Sequence, residues 1–203
     1  GGAPTVPLNL TATAFSTSQI NLAWNVSTDN IGVVGYKVER CQGSGCANFT
    51  QIATTVSPSY SNTGLISSTS YSYRVIAYDA ASNNSPASNA ASATTQTAPD
   101  TQAPTVPGNL VVSPNSGSPT QMDLTWNLST DNVGVVGYKI ERCQANNCSS
   151  FVQIATVASN SYSDINLTPN TNYSYRIRSY DAAGNNSAYS GVISAITKKR
   201  KPN

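Results

Sequence analysis

The chain has 203 residues, no histidine, 10% charged side chains and a formal net charge of +2. Four of its eleven basic residues, Lys198, Lys199, Arg200 and Lys201, stand together near the C-terminus, which leaves seven basic against nine acidic residues over the first 197. These figures exclude a basic nucleic-acid-binding stripe and histidine-based acid–base or nucleophilic catalysis, and no run of eighteen apolar residues offers a membrane span.

In chain order, the first strong element is QINLAWN (19–25), where Ile20, Leu22 and Trp24 alternate with polar neighbours. That period of two predicts a half-buried strand. GYKVER (35–40) follows, with Tyr36 and Val38 on the inner face and Lys37 and Glu39 on the outer one. YSYRVIAYD (71–79) divides the same way: Tyr71, Tyr73, Val75 and Ala77 point inward, and Ser72, Arg74, Ile76 and Tyr78 outward. Polar turn clusters separate these runs at short intervals, and no helical period is present.

The second half repeats the first. Trp24 and Trp126, Tyr36 and Tyr138, Cys41 and Cys143, Leu65 and Leu167, and Tyr71 and Tyr173 correspond, and 24 of 36 aligned positions are identical between 19–54 and 121–156. Ahead of that block APTVP occurs at 3–7 and 103–107, so the second copy carries a two-residue insertion near Asn115–Pro119. Self-similarity of this kind marks a duplicated domain. We divide the chain into a first domain (1–97), a proline-containing linker (98–103), a second domain (104–197) and a basic tail (198–203).

Without histidine, catalysis would have to rest on paired carboxylates. Glu39 and Glu141 lie on outer strand faces beside Lys37 and Lys139, with Arg74 and Arg176 expected across the sheet, an arrangement for cross-strand ion pairs. There is no phosphate-binding glycine loop, so no catalytic residue and no cofactor are assigned. The C-x4-C pairs, Cys41/Cys46 and Cys143/Cys148, could supply two zinc ligands each. A structural zinc site takes four, however, and a redox pair reads C-x-x-C.

Each copy resembles a fibronectin type III domain. The resemblance rests on APTVPLNL and APTVPGNL, on Trp24 and Trp126, on GYKVER and GYKIER, and on LISSTSY (65–71) and LTPNTNY (167–173). It covers essentially the whole chain, and the wording STDNxGVVGY and YDAAGNNS is similar to bacterial versions in secreted and cell-surface proteins. The resemblance implies an all-β chain of two tandem immunoglobulin-like antiparallel β-sandwiches, in which Tyr71 and Tyr173 form the corner between sheets. It places the cysteines at the end of the third strand and in the turn after it. Their repetition within each copy then argues for local disulfides, Cys41–Cys46 and Cys143–Cys148, and for an oxidising compartment.

The same topology brings the loop 27–30 to 79–84, and 129–132 to 181–186, at one pole of each sandwich. Asp29, Asp79, Asp131 and Asp181 are thereby candidate calcium ligands, although Asp and Asn also cap turns. The chain enters each domain at this pole and leaves by the disulfide corner, so Asp131, Asn132, Asp181 and Asn185 are candidate inter-domain or assembly residues for a head-to-tail filament. Carbohydrate binding would use the outward Tyr78, Tyr180 and Tyr189. The reading is a non-catalytic extracellular spacer, adhesion or assembly module, secreted or at the cell surface. Its partners would be neighbouring domains or like subunits. The alternatives are a filament subunit and an accessory carbohydrate-binding module of a secreted polysaccharide-degrading enzyme.

Overall fold

A computed structural model describes residues 1–145 and 148–201. Asn146 and Asn147, inside the second cysteine loop, and Pro202 and Asn203, at the end of the basic tail, lie outside the described residues. The chain forms two compact units, Gly1–Ala98 and Pro99–Asn203.

Unit 1 contains β1 (Thr11–Ala14), β2 (Ile20–Ala23), β3 (Val33–Gln42), β4 (Thr50–Thr55), β5 (Ser59–Asn62), β6 (Ser70–Asp79) and β7 (Ala91–Thr94). They form a three-stranded sheet in the order β1-β2-β5 and a four-stranded sheet in the order β4-β3-β6-β7, with every pair antiparallel. Unit 2 repeats this with β8 (Gly108–Pro114), β9 (Met122–Asn127), β10 (Val135–Cys143), β11 (Val152–Val157), β12 (Ser161–Asp164), β13 (Asn172–Asp181) and β14 (Ile193–Ile196). Its sheets are ordered β8-β9-β12 and β11-β10-β13-β14. Each unit is therefore a β-sandwich whose inner faces alternate with solvent-facing side chains.

The inner faces make the cores. In unit 1, Ile20, Leu22 and Trp24 from one sheet meet Tyr36, Val38, Tyr71, Tyr73, Val75 and Ala77 from the other. Trp24 and Tyr36 pack edge to face with centroids 5.3 Å apart, and Trp126 and Tyr138 repeat this at 5.3 Å. Each such pair adds about 1 kcal/mol to the area it buries. Leu65 and Leu167 close the cores beside Tyr71 and Tyr173. The Tyr71 hydroxyl accepts from Ile66 N–H at 3.2 Å and that of Tyr173 from Thr168 N–H at 3.0 Å.

The twice-written GVVGY has a backbone explanation. Gly32 and Gly134 adopt positive φ of 123° and 148°, where side chains are strained. Three residues on, β3 and β10 run so close to their neighbours that a Cβ on Gly35 would sit 2.9 Å from the Thr55 carbonyl oxygen, and one on Gly137 2.6 Å from that of Val157.

Candidate functional site

The two glutamates are committed to ion pairs. Glu39 pairs with Arg74 in register across β3 and β6, and Glu141 with Arg176 across β10 and β13. The lysines expected in the same row take no part in it. Lys37 lies over the Tyr78 ring at 5.6 Å, whereas Lys139 lies over Tyr180 at 5.0 Å and donates to Asn186 Oδ1 at 2.7 Å. A flexible ammonium gains as much from a ring face and an amide as from an already paired carboxylate. Glu141 also departs from the expected solvent-facing position. It is only 7% exposed, because Tyr189 folds over it and donates to Oε1 at 2.6 Å. Burial pushes the Glu141 pKa up, but the Tyr189 hydroxyl and the Arg176 and Arg178 guanidinium groups outweigh burial and hold it below the usual range.

The outward aromatic rings are covered by cations. Arg74 stacks over Phe49 at 4.6 Å, and Arg176 lies against both Phe151 at 4.4 Å and Tyr189 at 3.9 Å, with Arg178 over Tyr189 at 4.8 Å. Tyr78, Tyr180 and Tyr189 are all half-buried. Each ring therefore carries a guanidinium or ammonium group where a sugar ring would stack.

At one pole of each sandwich, the loop before β3 or β10 and the turn that follows β6 or β13 hold the acidic candidates, Asp79 and Asp181 being the last residues of β6 and β13. In unit 1, Asp29 Oδ2 accepts from the N–H groups of Ile31 and Gly32 at 2.9 and 3.1 Å. Asp79 accepts from Ala81 N–H and Asn83 N–H through Oδ1 and from the Asn83 amide through Oδ2, at 2.9, 2.8 and 2.7 Å. Unit 2 repeats the pattern: Asp131 Oδ2 accepts from Val133 and Gly134 N–H, and Asp181 from the backbone and side chain of Asn185. Asp181 is 2% exposed, and burial alone would raise its pKa. The Asn185 amide and the N–H groups of Asn185, Gly184 and Ala183 more than reverse this and lower it.

Unit 2 adds a residue that the sequence did not point to. Asp100 stands beside these loops, where its Oδ1 accepts from Gln102 N–H at 3.1 Å and from the Asn132 amide at 3.2 Å. Its carbonyl, with that of Gln102, accepts from Asn185 Nδ2 at 3.1 and 3.4 Å. The proline-containing stretch before β8 is thus fastened to the loops at this pole. One carboxylate oxygen each from Asp100, Asp131 and Asp181 lies within 4.8 Å of the other two. No other group of three such residues is found among the described residues.

The opposite pole carries the cysteines. Cys41–Cys46 and Cys143–Cys148 are disulfide-bonded, and no cysteine is free. Ser72 and Ser174 hydroxyls fix these corners by donating to the carbonyls of Gly43 and Ala145, both at 2.8 Å.

Comparison with known proteins matches the fibronectin type III domain to residues 2–94 and 103–196. Chitinase A1 of Niallia circulans is 38% identical over 205 residues, which are 99% of this chain and 27% of the relative. Exoglucanase B of Cellulomonas fimi is 36% identical over 97% of the chain and 17% of its own length. For Exoglucanase A of the same organism the values are 42%, 97% and 21%. The chain therefore spans between about a sixth and about a quarter of the length of these curated relatives.

Proposed function

We propose, from the premise that this chain belongs to the fibronectin type III domain family, that it is a non-catalytic accessory module of an extracellular polysaccharide-degrading enzyme. The observation that carries the proposal is one of coverage. Nearly the whole chain aligns with relatives named for chitin and glucan hydrolysis, yet it accounts for only 17–27% of each. The acidic groups support it, since Glu39, Glu141, Asp79 and Asp181 are all held by hydrogen-bond or ion-pair partners within their own unit. The two disulfides support an oxidising compartment.

Within that role, the covered rings favour a spacer over a glycan-gripping surface, because stacking a sugar on Tyr180 or Tyr189 would displace Lys139 or Arg176. Residues 1–203 are to be exchanged for the 205-residue stretch of Chitinase A1 that they match. The chimera is expected to keep the parent's activity on insoluble chitin. Loss of that activity with hydrolysis of soluble oligomers intact would overturn the spacer role. Co-sedimentation of the chain with chitin, cellulose and starch should leave it in the supernatant. Retention abolished by Tyr180→Ala or Tyr189→Ala would replace the spacer with a binding module. Release of reducing sugar by the chain alone would overturn the non-catalytic reading.

A further inference from the structure

We propose that Asp100, Asp131 and Asp181 of unit 2 together bind a calcium ion. Three carboxylates converge within 4.8 Å, and none of them forms an ion pair among the described residues. Each arrives from a different segment: Asp100 from the stretch before β8, Asp131 from the loop between β9 and β10, and Asp181 from the end of β13. Three like charges at such separations repel one another, and the repulsion grows as water is excluded.

The independent sign of a ligand lies in the oxygens themselves. Asp100 Oδ2 and Asp131 Oδ1 each expose less than 1 Å² and receive no hydrogen bond. Their sister oxygens, by contrast, are each doubly satisfied, by Gln102 N–H and the Asn132 amide for Asp100, and by Val133 and Gly134 N–H for Asp131. The local turns thus orient both carboxylates and leave one oxygen of each without a donor. A buried ionised oxygen without a donor carries a large desolvation cost, which a cation offsets directly. Asp181 completes the set from a side chain that is 2% exposed.

The donor set selects the metal. It offers only oxygen and has no imidazole or thiolate, which sets aside zinc and copper and favours a hard cation. The three carboxylates come from loops, so their spacing can adapt to the longer and more variable calcium–oxygen distances better than to the strict octahedron of magnesium. Extracellular calcium modules of this type bind with dissociation constants on the order of 10⁻⁴–10⁻³ M. The ion would fasten Asp100 to the loops of unit 2 more firmly than the Asn185 and Asn132 amides do alone.

Duplication supplies the control. Asp29 and Asp79 occupy the equivalent loops of unit 1, but among the described residues no third acidic group joins them. Unit 1 is accordingly not part of the site.

The test is calcium titration of the whole chain by calorimetry after chelator treatment, with thermal melts in calcium and in magnesium. One calcium per chain is expected, with a rise in the melting temperature that magnesium does not reproduce. Asp131→Asn and Asp100→Asn should each weaken binding by about tenfold or more, since calcium affinity follows the number of ligand charges. Both variants keep an oxygen for the turn N–H groups. They should therefore melt no lower than the parent in chelator, because each relieves repulsion. Asp29→Asn should leave the titration unchanged. No saturable heat and an unmoved melt in calcium would overturn the proposal. So would two ions per chain, an equal response to magnesium, or variants that lose stability in chelator while binding calcium as before.

Discussion

Arg142 holds Asp164 by both carboxylate oxygens, Nη1 donating to Oδ1 at 3.0 Å and to Oδ2 at 2.9 Å, whereas the equivalent Arg40 of unit 1 meets the neutral Asn62. In both units a core tyrosine completes the triad, Tyr175 donating to Asp164 at 2.7 Å and Tyr73 to Asn62 at 3.0 Å. Burial raises the pKa of both phenols, and in unit 2 the hydrogen bond to Asp164 raises it further, so both remain neutral donors. The duplicated fold thus carries the same part-buried contact in charged and uncharged forms.

Asp164→Asn would convert the second form into the first. A hydrogen bond to a charged group contributes about 1–2 kcal/mol more than a neutral one, so unit 2 should lose roughly that amount. Asp164→Ala leaves the part-exposed Arg142 and the buried Tyr175 hydroxyl without their acceptor and should cost more, about 2–4 kcal/mol. Amide exchange of β13 under native conditions reports the stability of unit 2 separately from that of unit 1. An Asp164→Asn variant as stable as the parent would show that the charge contributes nothing.

Acid should destabilise both units through carboxylates that their hydrogen-bond partners hold ionised. Asp79, Asp123, Asp181 and Glu141 all have pKa values below the ordinary range. A group depressed in the folded state contributes stability that is complete above its unfolded pKa, near 4, and is lost as pH falls through its lower folded value. Urea midpoints should therefore be flat from pH 7 to about 5 and fall below about 4. Asn185→Ala removes the amide that lowers the Asp181 pKa, and should move the acid transition of unit 2 to higher pH.

Tyr71→Phe and Tyr173→Phe delete a hydroxyl and leave the ring. Ile66 N–H or Thr168 N–H then loses a part-buried acceptor, at a cost of about 1 kcal/mol in each unit. Exchange of the Ile66 or Thr168 amide should accelerate with it. A neutral substitution would mean that water serves the amide equally well.

Reducing the disulfides should loosen the corners without unfolding the units. Each closes a loop with a sequence separation of 5, for which the gain from restricting the unfolded chain is about 2 kcal/mol. The Cys41→Ala/Cys46→Ala pair should lower unit 1 by about that amount and leave unit 2 unchanged. Circular dichroism before and after reduction should keep its β signature.

The sheets were legible because their inner faces follow a period of two. Ile20, Leu22 and Trp24, and Tyr71, Tyr73, Val75 and Ala77, are alternating residues in the sequence and buried residues in the structure. What pairs across distant segments was not legible in this way. Arg142 and Asp164 are 22 positions apart, and the change from Asn62 to Asp164 looks like ordinary polar variation until β12 is placed beside β9. Tyr189 reads as an isolated outward aromatic, yet it reaches Glu141, 48 positions earlier. Asp100 was the least visible, since it stands in a proline-rich stretch whose composition suggests a connector. Its convergence with Asp131 and Asp181 is a product of topology. The only trace in the sequence is that an acidic residue directly precedes TQAPTVP.

Gly137→Ala tests the tightest of the backbone approaches. The added methyl would stand 2.6 Å from the Val157 carbonyl oxygen and 3.2 Å from the Tyr180 ring, and the carbonyl belongs to a strand already paired with β10. The ring can swing aside, but the backbone cannot move without breaking that pairing. Gly35→Ala meets the Thr55 carbonyl at 2.9 Å and the mobile end of Tyr78 at 2.9 Å, a less severe clash. Overpacking of this kind costs about 1–3 kcal/mol, so Gly137→Ala should lie at the upper end and Gly35→Ala below it. Chemical denaturation of the two variants, with exchange in β10 and β3 as the unit-specific readout, checks the order. A larger loss at Gly35 would mean that the Tyr78 ring, pinned by Lys37, is the harder of the two walls.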